Sequence, residues 1–252
     1  MKTLDSPPVE RFAPVKAYSA LGVDCLRLRN PDDVLMDVTE VGALAIDQSP
    51  RIAALLGRMS EFIIEHDGYR STAAVEDAES GHTHKTGSGK HEHHRSSVYR
   101  PDATPEAIVK AYNFERHAAP VQFYFGAWLQ SELAWWSDTL SSPRQIALLT
   151  APRSGHRTVV MERMPGTSLT EIGNDLAGND NYGSEDIDGL INGVHLRVKA
   201  ELGRLFGKKA MAEFNDLNLV NTSNIIVPTP MPGRPETMFE GPPKHHRSAV
   251  RR

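Results

Sequence analysis

Only one cysteine, Cys25, occurs in 252 residues. An internal disulfide is therefore excluded, and a reducing compartment is the expected setting. A lone thiol of this kind reads as a small buried apolar residue rather than a reactive group. No stretch of the sequence approaches the roughly 18 apolar residues that a membrane span needs. The opening Met-Lys-Thr-Leu-Asp-Ser-Pro-Pro also lacks the apolar core of a secretory signal. The chain thus reads as soluble and cytoplasmic, with no membrane partner. A dominant charge is missing too: 28 Lys+Arg against 32 Asp+Glu leave a formal net charge of −4. That balance gives no global attraction to nucleic acid, which is not expected as a partner. The acid-free stretch Lys244–Arg252 reads as a soluble basic tail. There is no repeat of fixed period.

What remains is ordinary globular material, 39% hydrophobic and 24% charged, enough for one large domain or two small ones. Residues 1–70 are expected to form an N-terminal helical extension. Its start is weakly patterned, but Ser49-Pro50 reads as a helix cap followed by proline at the first helical position. Ile52, Leu55, Leu56, Met59, Phe62 and Ile63 then recur at helical spacing. Residues 71–96 turn polar, with Gly81, Gly87 and Gly89, and read as a flexible loop or linker.

Order returns over 97–166, where a small antiparallel sheet and a packed helix are expected. Ala107–Tyr112 is short, branched and aromatic, as strands are. A helix from Pro120 to about Leu140 presents Val121, Phe125, Trp128, Leu129, Leu133 and Trp136 on one face, with Trp135-Trp136 as packing residues. Strands follow at 145–150 and 158–161, and Pro165-Gly166 ends the second. Residues 167–228 read as a helical region: a helix over Ser184–Phe206, a loop around Asp216, and a short strand Asn224–Val227. Prolines dominate 229–252. The fold class is α+β.

His82, His84, His91, His93 and His94 lie in the polar segment without cysteine or a His-Glu-x-x-His helix, so a solvated loop is the better reading than a zinc site. Gly87-Ser88-Gly89-Lys90 is not a nucleotide-binding P-loop, because His84 stands where its first glycine belongs and His91 follows the lysine.

Three motifs in chain order carry a more definite signal. Ala107-Ile108-Val109-Lys110 looks like a Val-Ala-Ile-Lys strand. Thr158 to Gly166 is a strand running into a proline-glycine turn. Phe214-Asn215-Asp216-Leu217-Asn218-Leu219-Val220-Asn221 fits x-x-Asp-Leu-x-x-x-Asn. Over residues 97–227 this order resembles the protein-kinase and aminoglycoside-phosphotransferase superfamily. The resemblance implies a small lobe over 97–166 and ATP-dependent phosphoryl transfer to a hydroxyl, with magnesium. It gives Lys110 to the phosphates, oriented by a helix carboxylate, Glu132 or its rival Glu115. It gives Glu162 and Met164 to the adenine ring through main-chain groups. Asp216 becomes the base, and Asn221 or Asn224 the magnesium ligand. The acceptor is a hydroxyl-bearing small molecule or protein that the motifs do not name. Two positions depart from the pattern: Phe214 replaces the usual histidine, and no aspartate follows Asp216, Met238 standing where one belongs. The same resemblance therefore accommodates a non-catalytic, nucleotide-binding regulatory module.

Overall fold

Three strands, β1 (Ala13–Ala20), β2 (Val23–Arg29) and β3 (Leu35–Thr39), form an antiparallel meander at the start of the fold. Leu21 and Gly22 join the first two with positive φ, 52° and 76°. Two such residues make the hairpin turn whose twist matches paired strands. The expected helical extension is corrected here, since its described part is helical only from Glu40 onward. Helix α1 (Glu40–Gln48) is capped by Thr39, whose hydroxyl accepts from Gly42 N and donates to the Gln145 carbonyl, both at 2.9 Å. Helix α2 (Pro50–Glu65) begins where the sequence places it, with Ser49 Oγ accepting from Ile52 N.

This computed structural model describes residues 11–65, 83–88, 96–112, 118–178, 182–216 and 225–228. A second meander comprises β4 (Thr83–Ser88), β5 (Ser96–Pro101) and β6 (Ala107–Tyr112), so part of the expected 71–96 loop is a strand. Helix α3 (Ala118–Trp136) and strands β7 (Gln145–Thr150) and β8 (Arg157–Glu162) follow. The last two enter between the meanders, giving one antiparallel sheet in the order β1-β2-β3-β7-β8-β6-β5-β4.

Alternation along the strands divides the core. Val34, Met36, Val38, Val109, Leu149 and Val160 face α1 and α2, where Ile52, Leu55, Leu56 and Met59 are buried. Each such side chain contributes about 2 kcal/mol by leaving water. The other face carries Leu148, Val159 and Met161 beneath Ala119 and Phe123 of α3. Of the expected helix face only Leu133 is buried. Ala119, Phe123, Ala127 and Leu133 are buried, whereas Val121 is 46% exposed and Trp135 and Trp136 are 63% and 67% exposed. Apolar residues surround this helix on nearly every side, so spacing alone does not select the buried stripe.

The described residues of Met1–Glu132 and Ser142–Arg163 form one compact unit, and those of Leu133–Ser141 and Met164–Arg234 a second. In the second unit, β9 (Thr167–Ser168) leads into α4 (Leu169–Ala177) through a reciprocal cap: Ser168 Oγ accepts from Glu171 N, and Glu171 Oε2 from Ser168 N. Those bonds lower the Glu171 pKa, the main-chain one most. Helix α5 (Ser184–Asp216) continues past the expected end at Phe206, with a break at Gly207. Beyond the break Phe214 is buried edge-on against Phe206, ring centroids 5.5 Å apart. Strand β10 (Ile226–Val227) pairs with β9. The approach is so close that a Cβ on Gly166 would lie 2.3 Å from the Val227 carbonyl oxygen. The whole is an α+β fold built on an antiparallel sheet. Among the described residues no helix is long and apolar enough to cross a membrane.

Candidate functional site

A row of paired residues crosses the sheet on the face that α3 covers. Arg27 lies opposite Asp37, Asp37 opposite Leu148, Leu148 opposite Val159, and Val159 opposite Lys110. Three inter-strand spacings separate Asp37 from Lys110, about 14 Å. Each end of this row holds an ionisable group that is largely withdrawn from water.

At one end is Lys110, on the third strand of the second meander. Its amine donates to Gln122 Oε1 at 2.8 Å and lies 5.3 Å from the Tyr112 ring centroid. The Tyr112 hydroxyl donates to the same amide oxygen. Burial lowers the Lys110 pKa to about 8 and raises that of Tyr112. The amine is thus held by a neutral acceptor, not by the carboxylate the sequence suggested. Glu132 lies ten residues beyond Gln122 on α3, about 15 Å of helix rise away. The chain enters α3 at Ala118, soon after β6 ends, so the first turns of the helix, not the third or fourth, overhang Lys110. Glu115, the rival, lies outside the described residues.

At the other end, Asp37 is 2% exposed, and its two carboxylate oxygens take Arg27 Nε and a terminal nitrogen at 2.6 and 2.8 Å. Tyr124 of α3 donates to Asp37 Oδ2 at 3.0 Å, and its hydroxyl is 2.6 Å from that of Tyr18. Lys16 and Arg27 both lie over the Tyr18 ring, at 5.2 and 5.4 Å. The carboxylate raises the Arg27 pKa, while burial and the Tyr124 contact raise that of Tyr18. None of these residues stands out in the sequence. The available signal was alternation in Cys25-Leu26-Arg27-Leu28-Arg29 and Met36-Asp37-Val38, which reads as strand once charged residues are allowed to face inward.

Glu162, the other anticipated site residue in the same unit, has a different partner. Glu162 ends β8 in a two-pronged pair with Arg144, both bonds 2.9 Å, and its main-chain N–H donates to the Arg144 carbonyl. Arg163 N–H donates to the Glu106 carbonyl, and Met164 follows in the second unit. Asp216 is the last residue of α5 rather than part of an open loop. Asn221 and Asn224 lie outside the described residues, as do Gly89, Lys90, His82, His91, His93 and His94. His84 falls on β4. No group of three or more His, Cys, Asp or Glu able to hold a metal occurs among the described residues. Cys25 is buried, and burial pushes its thiol up to about 11, far from a reactive thiolate.

No family model, curated protein or solved structure matches this chain. The functional reading therefore rests on the residues themselves. Lys110 offers an anion a desolvated amine that, among the described residues, is held by the neutral amide of Gln122. Gln122 fixes the direction in which that amine points.

Proposed function

We propose that this chain is a kinase-like phosphotransferase whose Lys110 receives the phosphates of ATP. One observation supports this reading above the rest. Lys110 sits on the third strand of an antiparallel meander, and the helix that follows folds back over it to orient the amine. Kinases place their phosphate-binding lysine on the third strand and orient it from the next helix, because a transferring phosphoryl group needs a fixed positive charge. A bound phosphate would stabilise the protonated amine, so affinity should fall as pH rises above about 8. Asp216 is the candidate base for the acceptor hydroxyl, and Asn221 or Asn224 the candidate ligand for magnesium, which supplies charge neutralisation when bound.

A second reading, nucleotide binding without transfer, is favoured by Gln122. An amide cannot supply the counter-charge by which a carboxylate keeps the lysine protonated. The two readings separate in one series. Purified protein is melted with ATP, with and without magnesium, alongside Lys110→Met, and phosphoryl transfer is followed with labelled ATP. At a ligand concentration a hundredfold above Kd, the melting temperature should rise by about 5 °C or more. Lys110→Met should lose that rise. Turnover abolished by Asp216→Asn supports transfer, and a rise without turnover supports binding alone. No rise with any nucleotide in folded protein overturns both.

A further inference from the structure

Gln122 shares one turn of α3 with a second anchor. Phe123 is fully buried beneath the helix. Gln122 and Tyr124 lie about 100° to either side of it around the axis, so they leave the helix on opposite flanks. One flank carries the bonds to Lys110 and Tyr112, the other the bonds to Asp37 and Tyr18. With Phe123 packed beneath them, the two anchors together fix the rotation of α3, and losing either one frees the helix to turn and loosens the other. Asp37 is itself immobilised by Arg27. The Tyr124 hydroxyl therefore meets an acceptor that cannot follow the helix. These N-terminal strands lie outside residues 97–227, which carry the kinase resemblance.

We infer that Asp37, Tyr124 and Tyr18 form a positioning network for the Lys110 site: strands β1 to β3 set the rotation of α3 and hence the reach of Gln122 to the lysine amine. The consequence for ATP rests on the reading proposed above; the mechanical coupling does not.

The test is a double-mutant cycle read at the lysine itself. Acylation of Lys110 by acetic anhydride is measured by mass spectrometry at one fixed pH, relative to Lys208, an exposed lysine of the second unit. Tyr124→Phe keeps the ring and removes only the hydroxyl. It should raise relative labelling of Lys110 by about fivefold and weaken ATP binding to a similar degree, the scale of one lost hydrogen bond. Gln122→Ala should do the same. The double variant should add little, because both changes release the same contact. Tyr18→Phe removes the outer bond and should give a smaller effect of the same sign, keeping the test open if Tyr124→Phe does not fold. Unchanged Lys110 labelling in folded Tyr124→Phe, even with a lower melting temperature, would overturn the inference by reducing the network to a structural role. Full additivity of Tyr124→Phe and Gln122→Ala would overturn it as well. Coupled labelling in a protein that binds no ATP would uphold the network and refute the nucleotide reading.

Discussion

The two ends of the transverse row solve the same problem in opposite ways. Asp37 brings a carboxylate into the sheet and is met by a guanidinium with two-pronged geometry plus a tyrosine hydroxyl. Lys110 brings an amine into the same face and is met by an amide oxygen. A buried charge with a matched counter-charge is held in one protonation state and serves structure. A buried charge with a neutral partner is left adjustable, and an incoming anion can decide its state. The difference fixes the charge state at one end and leaves that at the other open to its surroundings.

The sharpest way to break this contrast is to remove the counter-charge at Asp37. Arg27→Met should cost about 3 kcal/mol of stability in urea unfolding, because it leaves a carboxylate with 3% of its side chain exposed without its cation. Lys110→Met should behave differently, and its signature is a pH window. The folded-state pKa of Lys110 lies near 8, below its ordinary 10.5. Below about 8 both states are protonated and the burial cost is fully present. Between about 8 and 10.5 the unfolded chain binds more protons, so stability rises with pH. Wild type should thus gain up to about 3 kcal/mol relative to Lys110→Met across that window, seen as converging urea midpoints. Gln122→Glu should sharpen the comparison by making the two ends alike. A carboxylate beside Lys110 raises its pKa, and the pH-dependent gain should shrink by more than half. The smallest effect is a control. Leu21→Asn suits the positive φ of the first turn and should stabilise by about 0.5 kcal/mol without altering the labelling of Lys110.

The parts of this fold that were legible in the sequence depend on neighbours along the chain. Ser49-Pro50 announced α2 through local capping, and Ala107–Tyr112 announced β6 through its β-branched and aromatic composition. Strands β1 to β3 were not legible, because their hairpin turn uses leucine where asparagine or glycine is usual, and because Arg27 and Asp37 neutralise each other only after the strands pair. The candidate site divides similarly. Lys110 stood out through its strand, whereas its partner depends on which turn of α3 overhangs the sheet. The kinase resemblance implied a carboxylate, Glu132 or its rival Glu115; among the described residues the entry point of the helix brings Gln122 to the amine. Trp135 and Trp136 mislead for a related reason, since a helix apolar on nearly all sides gives no spacing from which to read its buried stripe.

The pairing of β3 with β7 bears on how the protein is made. Met36 lies opposite Leu149, and Val38 opposite Ala147, residues more than a hundred positions apart. Until β7 leaves the ribosome, β3 is the outer strand of a small meander, with an unpaired row of main-chain donors and acceptors and the apolar Met36 and Val38 uncovered by half of their final neighbours. Loop closure over such a separation is slow, and exposed strand edges invite wrong pairing. The N-terminal third of the chain is therefore expected to wait on the middle third, and refolding should show its slow phase in signals from β1 to β3.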